Sequence, residues 1–450
     1  MHIERFHTPG LGDHSYLLTH EGQGVIVDPQ RDIGRVERAA AGADVEVRAV
    51  LETHLHNDYV SGGPHLAERA GADLVLPAAA GTAYAYRPAF HSEPIKLGNG
   101  LSLVPLHTPG HTPEHTSYLV EIDGEPVAVF TGGSLLVGSA GRTDLLGEAR
   151  ARTLARLQHG SLKRLLALPG DVGVYPTHGE GSFCSATGAA RTVSDIKTEL
   201  TENPATQHDD PEAFADWQQI GLQPYPAYYA RMGPSNLFGR DPMPATDLPE
   251  FTVEDVDALG SGAELIDIRD RHSAIVGHIP GSQLIALGDD FGVWAGWVID
   301  LDAPVVLVAD SDDDVEEAAV QLMRVGIDDV RGSLPIDAWT GAGRELESLK
   351  TATAEQIAAA ASAEPERGVL DVRSPGEFAA GSAPRAIHKY LPELRGEGGR
   401  WLPVNQSPYV VCGSGRRAAI AAGLLSRRGY EPVPLIDGGM ADVIAAGKSA

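Results

Sequence analysis

Short apolar runs rich in β-branched residues alternate with amphipathic stretches through the first 200 residues of the chain. Residues 24–28, 45–51, 74–76, 101–106 and 127–130 predict strands, and residues 33–41 and 153–168 space their apolar positions as helices do. The pattern is that of a mixed α/β unit. From about residue 207 to 250 the texture changes to proline and aromatic residues, ending in Asp241-Pro242-Met243-Pro244. Proline fixes φ and withholds an amide donor, so this stretch predicts a connector. Beyond it the chain repeats itself. Leu265-Ile266-Asp267-Ile268-Arg269 returns as Val369-Leu370-Asp371-Val372-Arg373, and the segment 321–327 returns at 423–430, an offset of a little over 100 residues. Two related domains therefore follow the first one. The predicted division is a first domain over 1–235, a linker over 236–250, repeats over 251–348 and 355–450, and a short linker at about 349–354.

Composition narrows the function classes. The chain has 450 residues, 42% apolar and 22% charged, with a net charge of -27. That charge repels polyphosphates, so nucleic acid and anionic membranes are not expected partners. No apolar run reaches the roughly 20 residues of a membrane helix. Met1-His2-Ile3-Glu4-Arg5 opens as a strand rather than an export signal, so the cytoplasm is the expected compartment. Cys184 and Cys412 are the two cysteines, far apart in sequence, which argues against a structural disulfide and leaves room for thiol chemistry.

Three histidine clusters follow predicted strands: Thr53-His54-Leu55-His56-Asn57-Asp58-Tyr59, His107-Thr108-Pro109-Gly110-His111-Thr112, and Tyr175-Pro176-Thr177-His178. A lone histidine is most simply a satisfied loop or core residue, but three clusters at strand ends point to a metal site. Imidazole suits zinc and iron alike. These motifs resemble the metallo-β-lactamase superfamily over residues 1–200, and Gly10-Leu11-Gly12-Asp13-His14-Ser15-Tyr16-Leu17, Val27-Asp28-Pro29 and Gly141-Arg142-Thr143-Asp144 resemble its glyoxalase II and persulfide dioxygenase branch. The resemblance implies an αββα sandwich.

Two positions depart from the family pattern. Tyr59 stands where the family has the last histidine of its first motif, and Gly133 stands where it has a metal-bridging aspartate. The second metal position is therefore expected to be lost, which disfavours a two-metal hydrolase. His54, His56 and His111 remain to hold one ion, with Asp58 and His178 as further candidate ligands and Tyr59, Gly133, Arg142 and Asp144 lining the cleft. The dioxygenases resembled here use non-haem iron on two histidines and an aspartate, so Fe(II) is expected ahead of Zn(II) although the carboxylate is missing. Arg142 and Asp144 either pair with each other or leave Arg142 to a substrate carboxylate. His65, His107 and His115 read as surrounding groups, and Cys184 as a structural neighbour of the cleft.

A different chemistry lies near the C-terminus. Val410-Val411-Cys412-Gly413-Ser414-Gly415-Arg416-Arg417 is a strand, a short loop and a helix start, where converging amides and the positive helix end stabilise a thiolate or an anionic persulfide. The loop resembles the Cys-x-x-Gly-x-Arg site of rhodaneses, with Asp371-Val372-Arg373, Glu377-Phe378 and Asp437-Gly438-Gly439 as further landmarks. The resemblance implies that Cys412 accepts sulfane sulfur, with Arg417 as the charged partner and Gly413, Ser414, Gly415 and Arg416 as the cradle. The first repeat also resembles a rhodanese, but counting back from Gly326 and Gly429 places Ala309 at the cysteine position, followed by Asp310-Ser311-Asp312-Asp313-Asp314. It is expected to be catalytically silent.

Together these readings imply an α/β protein of sulfur metabolism. One metal ion would support oxidation of a low-molecular-weight thiol persulfide towards sulfite, and Cys412 would exchange sulfur with persulfide, thiosulfate or sulfite. Hydrolysis of a thioester, or a metal-free scaffold that leaves only the sulfur-carrying thiol, are the alternatives. A homo-oligomer is compatible with the sequence.

Overall fold

The computed structural model describes residues 1–184, 192–220, 222–363, 368–397 and 407–449. It is mixed α/β, and divides into two compact units: residues 1–244 with Met323–Gly326, and residues 245–322 with 327–450.

The first unit is built on two six-stranded sheets. One runs β1 (His2–Thr8), β2 (Asp13–His20), β3 (Gln23–Val27), β4 (Glu46–Leu51), β5 (Asp73–Pro77) and β6 (Arg87–Ala89) in spatial order. The other contains β7 (Ile95–Gly98), β8 (Leu101–His107), β9 (Thr116–Ile122), β10 (Glu125–Gly132), β13 (Gly173–Pro176) and β14 (Ser194–Asp195), in the order β14-β13-β10-β9-β8-β7. A small hairpin, β11 (Leu135–Leu136) and β12 (Ser139–Ala140), follows β10.

Strand alternation explains the layers. Tyr16, Leu18, Val25, Val27 and Leu51 face Leu103, Tyr118, Val120 and Phe130 across the gap between the sheets. The intervening residues Leu17, Ile26, Val50 and Leu76 point the other way, onto Val36 and Ala40 of the helix Gly34–Gly42 and Leu66 and Ala67 of the helix Gly63–Ala70. Val129 and Val174 on the outer face of the second sheet meet Ala155, Leu162 and Leu165 of the helix Glu148–Leu165. This is the four-layer αββα arrangement. Each fully buried Leu, Ile or Val adds roughly 1.5–3 kcal/mol.

The stretch expected to be a connector is largely folded. Several of its aromatic residues are core residues: Phe214 is buried with Ala215 in the helix Pro211–Gln219, which starts on an Asp210 cap with Pro211 in its first turn. Tyr229 and Met232 are buried in the helix Tyr229–Phe238. The predicted boundary at residue 235 falls inside that helix, and the unit extends to Pro244.

The second unit holds two four-stranded parallel sheets of the same topology. The first contains β15 (Glu264–Asp267), β16 (Gln283–Leu284), β17 (Val305–Val308) and β18 (Val330–Leu334), in the order β16-β15-β17-β18. The second contains β19 (Val369–Asp371), β20 (Ile387–His388), β21 (Tyr409–Val411) and β22 (Val433–Pro434), in the order β20-β19-β21-β22. The register repeats as well, since Asp267 pairs with Val308 as Asp371 pairs with Val411. Ala309 and Cys412 each follow directly, so they occupy equivalent places. No helix among the described residues is long and apolar enough to cross a membrane.

Candidate metal centre and thiol loop

Four strands of the first unit release their chains at one edge of the sandwich. β4 ends into Glu52-Thr53-His54, β8 into Thr108 to His111, β10 into Gly133, and β13 into Thr177-His178. Backbone hydrogen bonds tie the ends together: Thr116 N to Thr53 O, Thr177 N to Gly132 O, and His14 N to Thr177 O.

Asp28 anchors this edge. It sits just after β3 in the left-handed region at φ 49°, a strained position for a residue with a side chain. Its carboxylate accepts hydrogen bonds from Thr53 N, Thr53 Oγ1 and Thr177 Oγ1, which hold it there.

That bond sets the state of the first imidazole. Because the Thr53 hydroxyl donates to Asp28, it can only accept from His54 Nδ1 at 2.8 Å, which leaves His54 Nε2 with a lone pair. His111 is fixed likewise, with Nδ1 donating to Arg142 O at 2.8 Å while its backbone N–H donates to Gln158 Oε1. His178 Nδ1 meets Asp13 at 2.8 Å and Asp58 at 3.3 Å, and its Nε2 lies 3.4 Å from His54 Nε2. Fixing one ring nitrogen through a carboxylate, carbonyl or hydroxyl is how metal-binding imidazoles are aimed.

Among the described residues, three sets of side chains bring one donor atom from each residue within 4.8 Å of one another: His54, His111 and His178; His56, Asp58 and His178; and Asp28, Glu52 and His56. The trio His54, His56 and His111 expected from the sequence is not among them. His56 is buried with Nε2 held at 3.1 Å by Glu52, 3.1 Å by the Tyr59 hydroxyl and 3.3 Å by Asp28, and its ring stacks on Tyr59 at 4.4 Å. Tyr59 thus occupies the place of the missing histidine by packing against the second one.

Gly133 is also explained. A Cβ there would stand 2.2 Å from the His111 ring, so the imidazole lies where a longer side chain would begin. His115 is a satisfied core group, bonded to Thr108 Oγ1 through Nδ1 and accepting the Gly133 amide at Nε2. His65 bonds the Arg240 carbonyl and His107 the Pro113 carbonyl.

The electrostatics divide the cluster. Burial and the surrounding imidazoles push His54 well below its usual value, and burial with His178 lowers His111 to about 3, so both stay neutral. Burial opposes the charged form of His178 too, but Asp58 and Asp13 outweigh it and raise it to about 9. An ion bound through His178 must displace that proton. Burial and the neighbouring carboxylates push the Tyr59 phenol far up, so it remains neutral.

Whether these residues suit a metal can be judged from their unsatisfied atoms. His111 Nε2, His56 Nδ1 and Asp58 Oδ1 are buried without a hydrogen-bond partner, a costly condition for polar atoms unless a ligand meets them. Nitrogen donors with a carboxylate suit a divalent transition metal. The residues fit the group.

Around the cleft, Arg142 makes a bidentate pair with Asp144 at 2.6 Å and donates to the carbonyls of Phe183 and Gln223, beneath the ring of Tyr225. Asp144 therefore takes the place of the substrate carboxylate considered for Arg142. Cys184 is buried, its thiol donating to Asp58 at 3.5 Å, and burial with Asp58 and Asp13 raises it well above an ordinary thiol. It stays protonated, the wrong state for a nucleophile. The sequence motifs include Asp13 and Asp28 as landmarks without giving them a role, and they leave the roles of Glu52 and Thr53 unassigned. The signal for Asp28 was an acidic residue closing an apolar strand.

In the second unit Cys412 is buried at the end of β21 and accepts a hydrogen bond from Gly415 N at 3.1 Å. Gly415, at φ +85°, heads the helix Arg416–Ser426, and a Cβ there would stand 2.1 Å from Ile436 O. Only glycine lets the loop close over the thiol. Arg417 makes a bidentate pair with Glu377 at 2.6 Å, and Glu377 also closes a capping box with Ser374. Asp371 holds Arg373 in the same way. Arg416, one of the residues expected in the cradle, has its side chain engaged by the first repeat. That repeat has Ala309 and Asp310 where the thiol and its glycine would stand, and its helix Asp312–Arg324 opens with three aspartates.

Comparison with known proteins agrees with both halves of this description. The metallo-beta-lactamase superfamily model matches residues 8–178, and the rhodanese-like domain model matches residues 353–446. A protein described as a probable metallo-hydrolase of Burkholderia pseudomallei (strain 1710b) is 31% identical over 243 residues, covering 45% of this chain and 80% of that protein. A hydroxyacylglutathione hydrolase of Aeromonas salmonicida (strain A449) is 35% identical over 170 residues, 36% of this chain and 59% of its own length. Among solved structures, a metallo-beta-lactamase from Staphylococcus aureus subsp. aureus COL superposes with a TM-score of 0.67 and 27% identity, covering 74% of this chain and 99% of that one. The chain belongs to the metallo-beta-lactamase superfamily and carries a rhodanese-like domain behind that fold. The hydrolase match spans less than two thirds of that relative's length.

Proposed function

We propose that the protein oxidises the sulfane sulfur of a low-molecular-weight thiol persulfide at a single metal ion and exchanges sulfane sulfur at Cys412. The observation that carries this reading is Gly133 lying against His111. With no side chain there, position 133 offers no carboxylate to bridge two ions, whereas three imidazoles remain convergent. A rhodanese thiol loop on the same chain supplies the complementary sulfur chemistry.

His54, His111 and His178 would hold the ion, and a bound Fe(II) would supply the one-electron steps by which dioxygen takes up the four electrons that the sulfane sulfur gives on its way to sulfite. Thr53, Arg142 O and Asp13 keep the three rings aimed, and Asp28 holds Thr53 in its accepting role. Cys412 receives sulfur beneath the amide of Gly415.

The test is metal content and oxygen uptake. Anaerobically purified protein from iron-supplemented culture is expected to carry close to one iron per chain and to consume oxygen with an alkyl persulfide. The His54→Ala, His111→Ala double variant is expected to lose both. Zinc with cleavage of an acyl-thiol would instead support a thioester hydrolase, a second reading favoured by the 35% identity to a hydroxyacylglutathione hydrolase. Absence of metal from both proteins would leave Cys412 as the reactive centre.

A further inference from the structure

The first repeat has no thiol, yet it touches the loop that does. Its segment after β16 reaches Arg416, the first residue of the helix behind the Cys412 loop. Asp290 meets Arg416 Nη1 at 2.6 Å, and Ala286 O accepts from Arg416 Nη2 at 3.1 Å. The guanidinium lies so close over Gly288 that a Cβ there would stand 2.8 Å from it. Trp297 of the same repeat packs edge-on against Tyr390 at 5.9 Å. Gln283 further ties the repeats by donating to Ile420 O in the same helix.

The consequence is a charge count. The thiol loop supplies two guanidinium groups, and each is matched by a carboxylate, Arg417 by Glu377 within its own domain and Arg416 by Asp290 from the other repeat. An anion cradle so neutralised attracts a doubly charged donor no better than a singly charged one. Thiosulfate carries two charges and an alkyl persulfide at most one. Building on the reading of Cys412 as the sulfur acceptor, we infer that the silent repeat is a specificity element: through Asp290 it holds Arg416 away from the substrate and tunes the Cys412 site to persulfides over thiosulfate.

The transfer itself is the same for both donors. The Cys412 thiolate attacks the sulfane sulfur, and a Cys412 sulfur–sulfur bond forms as the donor's sulfur–sulfur bond breaks. The electron pair leaves on R–S⁻ from the monoanion R–S–S⁻, or on sulfite from thiosulfate, and in both cases the transferred sulfur stays on Cys412 with its negative charge. Asp290 acts as a positioning residue, through Arg416.

The test uses the full chain with two donors, thiosulfate and an alkyl persulfide bearing no other charge, and a common thiol acceptor. The wild type is expected to favour the persulfide in kcat/KM. Asp290→Asn keeps the shape and the acceptor for Trp294 Nε1 but releases one positive charge. Because Coulomb energy scales with the ligand's charge, a gain of about threefold for the monoanion should accompany about tenfold for the dianion. Asp290→Glu should restore wild-type selectivity, and Arg416→Gln should shift both donors the opposite way, again more for thiosulfate. In an Arg416→Gln background, Asp290→Asn should lose its preference for the dianion. Equal changes for both donors, or an unchanged effect in the Arg416→Gln background, would overturn the inference. Failure of the underlying reading looks different, since Cys412→Ser would then retain transfer from either donor.

Discussion

The two reactive centres of this chain are built in opposite ways. The thiol site is six contiguous residues, Cys412 to Arg417, whose geometry follows from a strand end, a glycine at φ +85° and a helix start. The imidazole centre draws its groups from the ends of β4, β8 and β13, and depends on Asp13 and Asp28 from the opening strands to aim them. A centre made by one loop can be lost in a single step while its scaffold persists. The first repeat illustrates this, for it keeps the sheet order and register but has Ala309 at the thiol position. A centre made by distant segments changes by repacking instead, as when Tyr59 stacks on His56 and His111 lies over Gly133.

Three measurements would break or sharpen that contrast. The largest effect is expected at the contiguous loop. Cys412→Ser should lower sulfur transfer by on the order of a thousandfold or more, as loss of a nucleophile does, while metal content by mass spectrometry stays unchanged. Loss of metal in that variant would mean that the two centres do not stand apart. Next comes a substitution with no partner to remove. Gly133→Ala should force the His111 ring aside, costing roughly 1–3 kcal/mol by the usual scale of overpacking. Calorimetry should show the lower stability, and metal titration a weaker site. An unaffected titration would show that His111 need not lie against Gly133.

The smallest effect concerns acid. Burial opposes ionisation of Glu377, but its bonds with Arg417 outweigh that and hold its carboxyl at about 2, below the usual 4.5. A carboxyl lowered on folding stabilises the native state above its unfolded value, and that contribution fades as pH falls from about 4.5 towards 2. Glu377 is partly exposed, so the contribution is modest. Comparing acid unfolding of the wild type and Glu377→Gln should show the two curves converging over that window. Parallel curves would remove the pair from the account of the loop.

Much of this was legible along the chain. The strand runs predicted at 24–28, 45–51, 74–76, 101–106 and 127–130 coincide with β3, β4, β5, β8 and β10 to within a few residues, because buried strands concentrate apolar residues in short runs. The connector was misread for the converse reason. Proline and aromatic residues look alike in a linker and in a short capped helix, and only the pocket that receives Phe214 or Met232 tells them apart.

By itself the sequence determined the fold class, the repeat, the loop that presents Cys412, its replacement at Ala309, and the histidines that cluster at strand ends. All of these depend on local spacing, which the chain carries in its order. The tertiary structure alone decided which groups meet. Glu52, Asp28 and Tyr59 capture one nitrogen of His56 while Asp13 and Asp58 turn His178 towards His54, and Asp290 draws Arg416 out of the thiol cradle. Side-chain direction in a buried cluster is settled by the hydrogen-bond partners that the fold brings together, several of them tens to hundreds of residues away, and no periodicity records them.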